Sequence, residues 1–262
     1  MKTVPDFKAR KGGERISVST AYSCWEARFL AASPVDCVLV GDSVASVVDG
    51  EPATFSATPE IIARHTAAVA RGLAGSKLLV ADFPFLAARR GIPAAVDCAA
   101  LLLRAGAQAV KIEGCDGHAD VLRHLVGSGI PVMGHLGLTP QSVHALGGNK
   151  VQGRADAAAA SILRQARELE AAGCFGVVLE CVPFTLAAAV TSALGIPVIG
   201  IGAGPLTDGQ VLVFHDYLGL NPGFQPRFVR RFADAGESVA RGLAAYDAAV
   251  KNGTFPSANE SY

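Results

Sequence analysis

The sequence predicts an α/β protein built as a single (β/α)8 TIM-type barrel, and three observations carry that reading. Eight short, apolar, β-rich runs recur along the chain. Helix-period or Ala-rich segments follow most of them, the alternation of a parallel sheet with helices packed outside it. At 262 residues the chain has the length at which eight such units close as one domain, here expected over 1–262. A doubly wound open sheet is the competing architecture.

Taken in order, the first run is ISVSTAY and ends at Tyr22. The second, VDCVLVGDS, ends in Asp42-Ser43 and precedes the helix candidate TPEIIARHTAAVARGL. KLLVADFPF carries Asp82 and precedes AAVDCAALLLRAGA. AQAVKIEG carries Lys111 and Glu113 and precedes HADVLRHLVGSG. IPVMGHLGL carries His135, and after it LTPQSVHALGGNKVQGR runs from 138 to 154 before the helix DAAAASILRQARELEAAG, so this long Gly-containing loop is a candidate lid. CFGVVLECV carries Glu180 and precedes PFTLAAAVTSALG. IPVIGIGAG is seventh, with a G-x-G-x-G run that lacks the dinucleotide fingerprint. QVLVFHDYL is eighth, with His215-Asp216 at its end, and RFADAGESVARGLAAYDAAVKNG closes the chain. Several helix candidates end in Gly, as helix C-termini prefer.

Composition narrows the partner. Half the residues are hydrophobic, 18% are charged, and 23 basic residues balance 23 acidic ones, so there is no basic footprint for nucleic acid. A small molecule is the expected partner. The N-terminus shows no apolar signal region and no apolar run is long enough to span a bilayer, which points to a soluble cytoplasmic protein. The six cysteines form no C-x-x-C pair, arguing against both a disulfide framework and a zinc site.

Polar residues sit where the strands end. In a barrel these ends converge on one mouth, where barrel enzymes keep their chemistry. Lys111 and Glu113 are two apart in a strand and so share one face, roughly 7 Å from each other along it. Asp42, Asp82 and Glu113 come from consecutive strands; carboxylates crowded there repel one another and call for a cation. All-oxygen ligands favour magnesium over zinc, and magnesium keeps positions open for water or substrate. Lys111 beside it would meet an anionic substrate oxygen. Glu180, on an apolar strand across the mouth, suits a general base. For Asp42-Ser43 a helix cap, and for Glu180 a structural ion pair, are the competing readings. His135 faces substrate or the Glu180 region, or is a satisfied core-edge histidine. His65, His118 and His124 read as solvated helix faces, and His144 lies in the lid.

At these residues the sequence resembles the ketopantoate hydroxymethyltransferase (3-methyl-2-oxobutanoate hydroxymethyltransferase) family. The matching segments are LVGDS, VADFPF, VKIEG, GIPVMGHLGLTPQSVHALGG, KVQGR, VVLECVP, IPVIGIGAG, DGQVLVFHDYLGL and FPSANESY, in order over nearly the whole chain. The resemblance implies a (β/α)8 fold, Mg2+, 3-methyl-2-oxobutanoate as acceptor, 5,10-methylenetetrahydrofolate as one-carbon donor, and a homo-oligomer, commonly a decamer in bacteria. Position by position it implies Asp42, Asp82 and Glu113 as metal acids, Glu113 acting through water. It implies Asp42, Ser43, Asp82 and Lys111 as contacts of the 2-oxo acid, and Glu180 as proton acceptor. The chain departs from the family pattern at Ser23, where TAYD becomes TAYS, and at Ala45 and Ser46. It departs again at Leu86-Ala87, where a Gly-Ser or Met-Ser pair is usual, and at Asn149 in place of Tyr. These changes are expected at the pocket's edge, bearing on substrate fit and folate use. Two other functions compete: a Mg-dependent lyase or mutase of the isocitrate lyase and phosphoenolpyruvate mutase kind, whose Cys-containing catalytic loop has no counterpart here, and a non-catalytic 2-oxo acid binding paralogue.

Overall fold

In the computed structural model, which describes residues 1–221, 223 and 225–262, eight parallel strands close on themselves in sequence order. They are β1 (Ile16–Thr20), β2 (Cys37–Val40), β3 (Leu78–Asp82), β4 (Ala109–Glu113), β5 (Val132–Gly137), β6 (Gly176–Glu180), β7 (Val198–Ile201) and β8 (Gly209–Leu212). Closure is made by β8 on β1, Ile16 pairing with Gly209 and Val18 with Val211. All eight expected runs form strands, most of them shorter than the run, while β8 begins one residue before its run, at Gly209.

Alternation along each strand decides what fills the barrel. Ile16, Leu39, Leu78, Val80, Met133 and Ile199 belong to one buried cluster inside it. Phe7, from the short helix α1 (Val4–Lys8), joins that cluster and packs edge-on against Phe175, ring centroids 5.3 Å apart. Phe175 lies just before β6, so the aromatic pair closes the N-terminal end of the barrel. Fully burying a side chain of this size contributes roughly 1.5–3 kcal/mol. Two residues further along the same inward-facing positions, the interior changes character: Val80 is followed by Asp82, Ala109 by Lys111, Met133 by His135 and Val178 by Glu180. Ladder register holds these ends level, with Asp82 opposite Lys111 and Glu113 opposite His135. Outward positions such as Val38, Val40, Val110, Ile112 and Leu179 are buried beneath the helices.

Those helices include α2 (Cys24–Ala32), α3 (Val44–Val47), α4 (Pro59–Leu73), α5 (Ile92–Arg104), α6 (Ala119–Gly127), α7 (Asp156–Ala171) and α8 (Phe184–Ala193). The sequence pattern did not announce α2, because Trp25 and Phe29 on it are 52% and 66% exposed and blur the apolar face. Its start is well defined: Ser23 is the N-cap, its hydroxyl accepting from the Glu26 N–H while the Glu26 carboxylate accepts from the N–H groups of Ser23 and Tyr22. Ser23 therefore serves as a cap, a duty Asp would perform equally well. The G-x-G-x-G run likewise has a packing reason: Gly204 has φ +78°, and a Cβ there would stand 2.4 Å from Phe184 Cβ. Residues 202–208 join β7 to β8 without a helix.

The described residues fall into two compact units, Met1–Leu212 and Val213–Tyr262. The first holds all eight strands. The second contains α9 (Phe214–Tyr217) and α10 (Ala235–Lys251). His215 and Asp216, expected at the end of strand eight, lie instead on α9: β8 stops at Leu212, and the Val213 carbonyl accepts the N–H groups of Asp216 and Tyr217, turning the chain into a helix. Among the described residues no helix is long and apolar enough to cross a membrane.

Candidate active site

The charged layer at the C-terminal end of the strands is almost entirely buried. Asp42, Asp82, Lys111 and His135 are each 5% exposed or less. Lys111 Nζ stands 3.0 Å from Asp82 Oδ1 and 3.2 Å from His135 Nδ1. His135 lies between two carboxylates, Nδ1 being 3.4 Å from Glu113 Oε1 and Nε2 3.2 Å from Glu180 Oε2. A continuous path of charge thus runs across the mouth from Asp82 through Lys111 and His135 to Glu180. The Asp42 N–H donates to Asp82 Oδ2 at 3.0 Å, which links the turn after β2 to β3.

Ser43 begins the turn into α3, and Tyr22 fixes its hydroxyl, the two oxygens being 2.7 Å apart. The Tyr22 carbonyl lies 2.6 Å from His65 Nδ1. His65 is thus half-buried against the barrel, and His118 is buried at the N-terminus of α6, so neither is the solvated helix-face residue that the pattern suggested.

Gln141 is the residue that sequence reasoning missed. It lies in the 138–154 loop, which leaves β5 at Gly137 and is fastened to the end of β6 at both ends. The Leu138 N–H donates to the Glu180 carbonyl and the Gln152 N–H to the Cys181 carbonyl, both at 2.8 Å. Gly137 has φ +92°, and a Cβ there would stand 2.2 Å from the Glu180 carbonyl oxygen, so only glycine permits this approach. Cys181 follows Glu180 at φ 47°, in the left-handed region. From this loop the Gln141 side chain reaches Asp42 and the Phe83 carbonyl, and its N–H reaches Glu113. The only signal in the sequence was the length of the loop.

Electrostatics follow from burial and crowding. Burial, then the charges of Asp82 and Glu113, push Asp42 up to about 7. Burial also raises Asp82, with the Lys111 ammonium offsetting part of the effect. Glu113 is buried too, but the His135 imidazole beside it and the charge of Lys111 hold it below the usual glutamate range. Burial and then Lys111 pull His135 down, yet the Glu113 and Glu180 carboxylates on either side of the ring outweigh them and leave it at about 9. Lys111 is depressed by burial and raised further by Asp82, Glu113 and Asp42, so it remains a cation.

The expected metal acids Asp42, Asp82 and Glu113 do come together at one mouth. Among the described residues, however, no three His, Cys, Asp or Glu side chains converge as a ready-made metal cage. Lys111, Gln141, His135 and the Asp42 N–H each stand against one of the carboxylate oxygens. The set still has the chemistry of a cation site: Asp82 Oδ1 and Glu113 Oε1 are buried with no well-formed hydrogen bond, and Asp42 is strained by two neighbouring carboxylates. A hard divalent cation fits that set.

A parallel barrel whose mouth holds acids, a buried lysine and an imidazole between two carboxylates has the architecture of a barrel enzyme built to manage negative charge on a small substrate. Comparison with known proteins makes this specific. A sequence profile described as ketopantoate hydroxymethyltransferase matches residues 1–258, and the chain belongs to that family. It is 50% identical to the 3-methyl-2-oxobutanoate hydroxymethyltransferase of Bdellovibrio bacteriovorus over 263 residues, 100% of both chains. It is 51% identical to that of Legionella pneumophila strain Paris over 261 residues, 99% of both. Among solved structures, a putative phosphonomutase from Burkholderia cenocepacia superimposes with TM-score 0.66 at 15% identity, covering 85% of this chain and 97% of that one. A 2,3-dimethylmalate lyase of the PEP mutase/isocitrate lyase superfamily gives TM-score 0.62 at 16% identity, covering 100% and 92%. At these identities the two structures speak to the fold.

Proposed function

We propose that this chain transfers a hydroxymethyl group from 5,10-methylenetetrahydrofolate to 3-methyl-2-oxobutanoate, forming 2-dehydropantoate (ketopantoate) for pantothenate and coenzyme A biosynthesis. The observation that carries the reading is full-length identity of about half to relatives of that name, joined to a mouth in which every implied site residue is present. Mg2+ is the proposed cation, held by Asp42 and Asp82 with Glu113 acting through water; when bound it would supply Lewis acidity at the oxygens of the 2-oxo acid.

The chain's own residues divide the remaining work. Ser43, oriented by Tyr22, offers a hydroxyl to the substrate carboxylate. Lys111 places a fixed positive charge where enolate charge develops. Glu180 takes the proton from C3, and His135, 3.2 Å from Glu180 Oε2, orients that carboxylate and shares its charge. One water hydrates the donor methylene, both of its C–N bonds break to release tetrahydrofolate, and the enolate carbon attacks the resulting one-carbon unit at the formaldehyde level, whose oxygen becomes the new hydroxyl; the 138–154 loop keeps bulk water away from the enolate.

The reading places the enzyme in the cytoplasm as a homo-oligomer, a decamer by analogy with the family. Six free cysteines suit a reducing compartment. Val239, Leu243, Tyr246 and Val250 recur on one face of α10, each 46% to 65% exposed, which suits a helix that docks against another copy. The test is incubation with both substrates and Mg2+, with ketopantoate followed by mass spectrometry. Metal-dependent product that requires the folate donor is expected; absence of product with active donor present overturns the reading.

A further inference from the structure

Gln141 makes three contacts that no other residue of the 138–154 loop makes. Its Nε2 donates to Asp42 Oδ2 at 2.9 Å and to the Phe83 carbonyl at 2.8 Å, while its N–H donates to Glu113 Oε2 at 3.1 Å. Two acceptors facing the amide fix its orientation, since the reverse would set Oε1 against a carboxylate and a carbonyl. Three strands are thereby joined through one side chain and its peptide: the turn after β2, the residue after β3, and the end of β4. Further along the loop His144 stacks on Phe55 with centroids 5.1 Å apart, and Phe55 meets Phe85 edge-on at 4.7 Å. The loop is therefore held at two points, one polar and inside, one aromatic and outside.

We propose that Gln141 is a positioning residue that couples the seating of the 138–154 loop to the cation-binding state of Asp42 and Glu113. The inference rests on the reading of those acids as cation ligands. With Gln141 in place Asp42 is held in one rotamer, with one oxygen satisfied and the other left for a cation. Glu113 is held by a main-chain donor in the same way. Groups that orient metal-bound carboxylates typically contribute 10–100-fold in metal affinity. Coupling is reciprocal: if a seated loop favours cation binding, the cation must favour the seated loop by the same factor. Such an arrangement would hold the already seated loop more firmly once the cation is in place.

The test uses the full-length protein, Gln141→Ala, and Gln141→Glu, which keeps the size but replaces the Nε2 donor with an acceptor. Mn2+ affinity is measured by electron paramagnetic resonance without substrate, and loop seating by the rate of tryptic cleavage after Lys150 and Arg154, both exposed in the loop. Both variants are expected to bind Mn2+ about 10–100-fold more weakly and to be cut faster. Mn2+ should slow cleavage of the wild type and leave that of the variants nearly unchanged. His144→Ala, which removes the stack alone, should speed cleavage with a smaller loss of Mn2+ affinity than Gln141→Ala. Wild-type Mn2+ affinity in Gln141→Ala, or equal cleavage rates, overturns the coupling. If the wild type itself binds no Mn2+, the metal reading fails and the coupling with it, while faster cleavage of the metal-free variant would still show the loop fastened by Gln141.

Discussion

His135 Nε2 stands 3.2 Å from Glu180 Oε2, one ladder step away across β5 and β6, while its other ring nitrogen faces Glu113. The folded state raises this imidazole to about 9, above an unfolded value of about 6.5. A raised folded value contributes stability that is fully present below about pH 6.5 and is lost as pH rises through about 9. In metal-free protein, the stability difference between wild type and His135→Gln is therefore expected to be largest at pH 6 and to shrink toward pH 10. Urea unfolding at pH 6, 8 and 10 measures it; a difference independent of pH would count against a protonated His135.

Lys111 is buried against Asp82, and removing one member of a buried pair leaves the other uncompensated. Lys111→Met should destabilise the fold by about 3–5 kcal/mol at pH 8. Adding Asp82→Asn in the same chain should recover part of that loss. Chemical denaturation of the single and double variants checks both expectations.

Asp42 carries the opposite liability. Its carboxyl is pushed up to about 7 by burial and by two carboxylate neighbours, so its ionisation costs the folded state stability progressively from about pH 4, its unfolded value, to about 7, and in full above that. Asp42→Asn should stabilise metal-free protein at pH 8 while abolishing divalent cation binding. Thermal melts with and without Mg2+ separate the effects: the wild type should gain stability from the metal and the variant should not.

Leu86 occupies the left-handed region at φ 62° and is 46% exposed, so it has strain with little burial to offset it. Leu86→Gly should stabilise the protein by about 1 kcal/mol. This backbone requirement gives a physical reason for the glycine that the family pattern commonly places there. An unchanged or lower melting temperature would argue against strain at this position.

Much of the architecture was legible in the chain because a barrel writes itself twice, once as recurring β-rich runs and once as polar residues at their ends. Asp82, Lys111, His135 and Glu180 each follow an apolar inward-facing position in their own strands and Glu113 follows Lys111 on the same face, so their place at the strand ends put them on one mouth. Gln141 was illegible for the converse reason: it lies on a loop without periodicity, and its role comes from contacts with residues distant in sequence. His215 and Asp216 were misplaced because an apolar run cannot reveal where a strand ends and a short helix begins. Ser23 looked like a change at the pocket edge but caps α2, since Ser and Asp are interchangeable at an N-cap.

The most direct test of the proposed chemistry is proton NMR of 3-methyl-2-oxobutanoate in D2O with the purified protein and Mg2+, in the absence of folate. Loss of the C3–H signal with wild type, its persistence without Mg2+, and its persistence with Glu180→Gln at undiminished substrate binding are the predicted results. Exchange that continues at the wild-type rate in Glu180→Gln would remove Glu180 from the base role, and no exchange in the wild type would contradict enolate formation at this mouth.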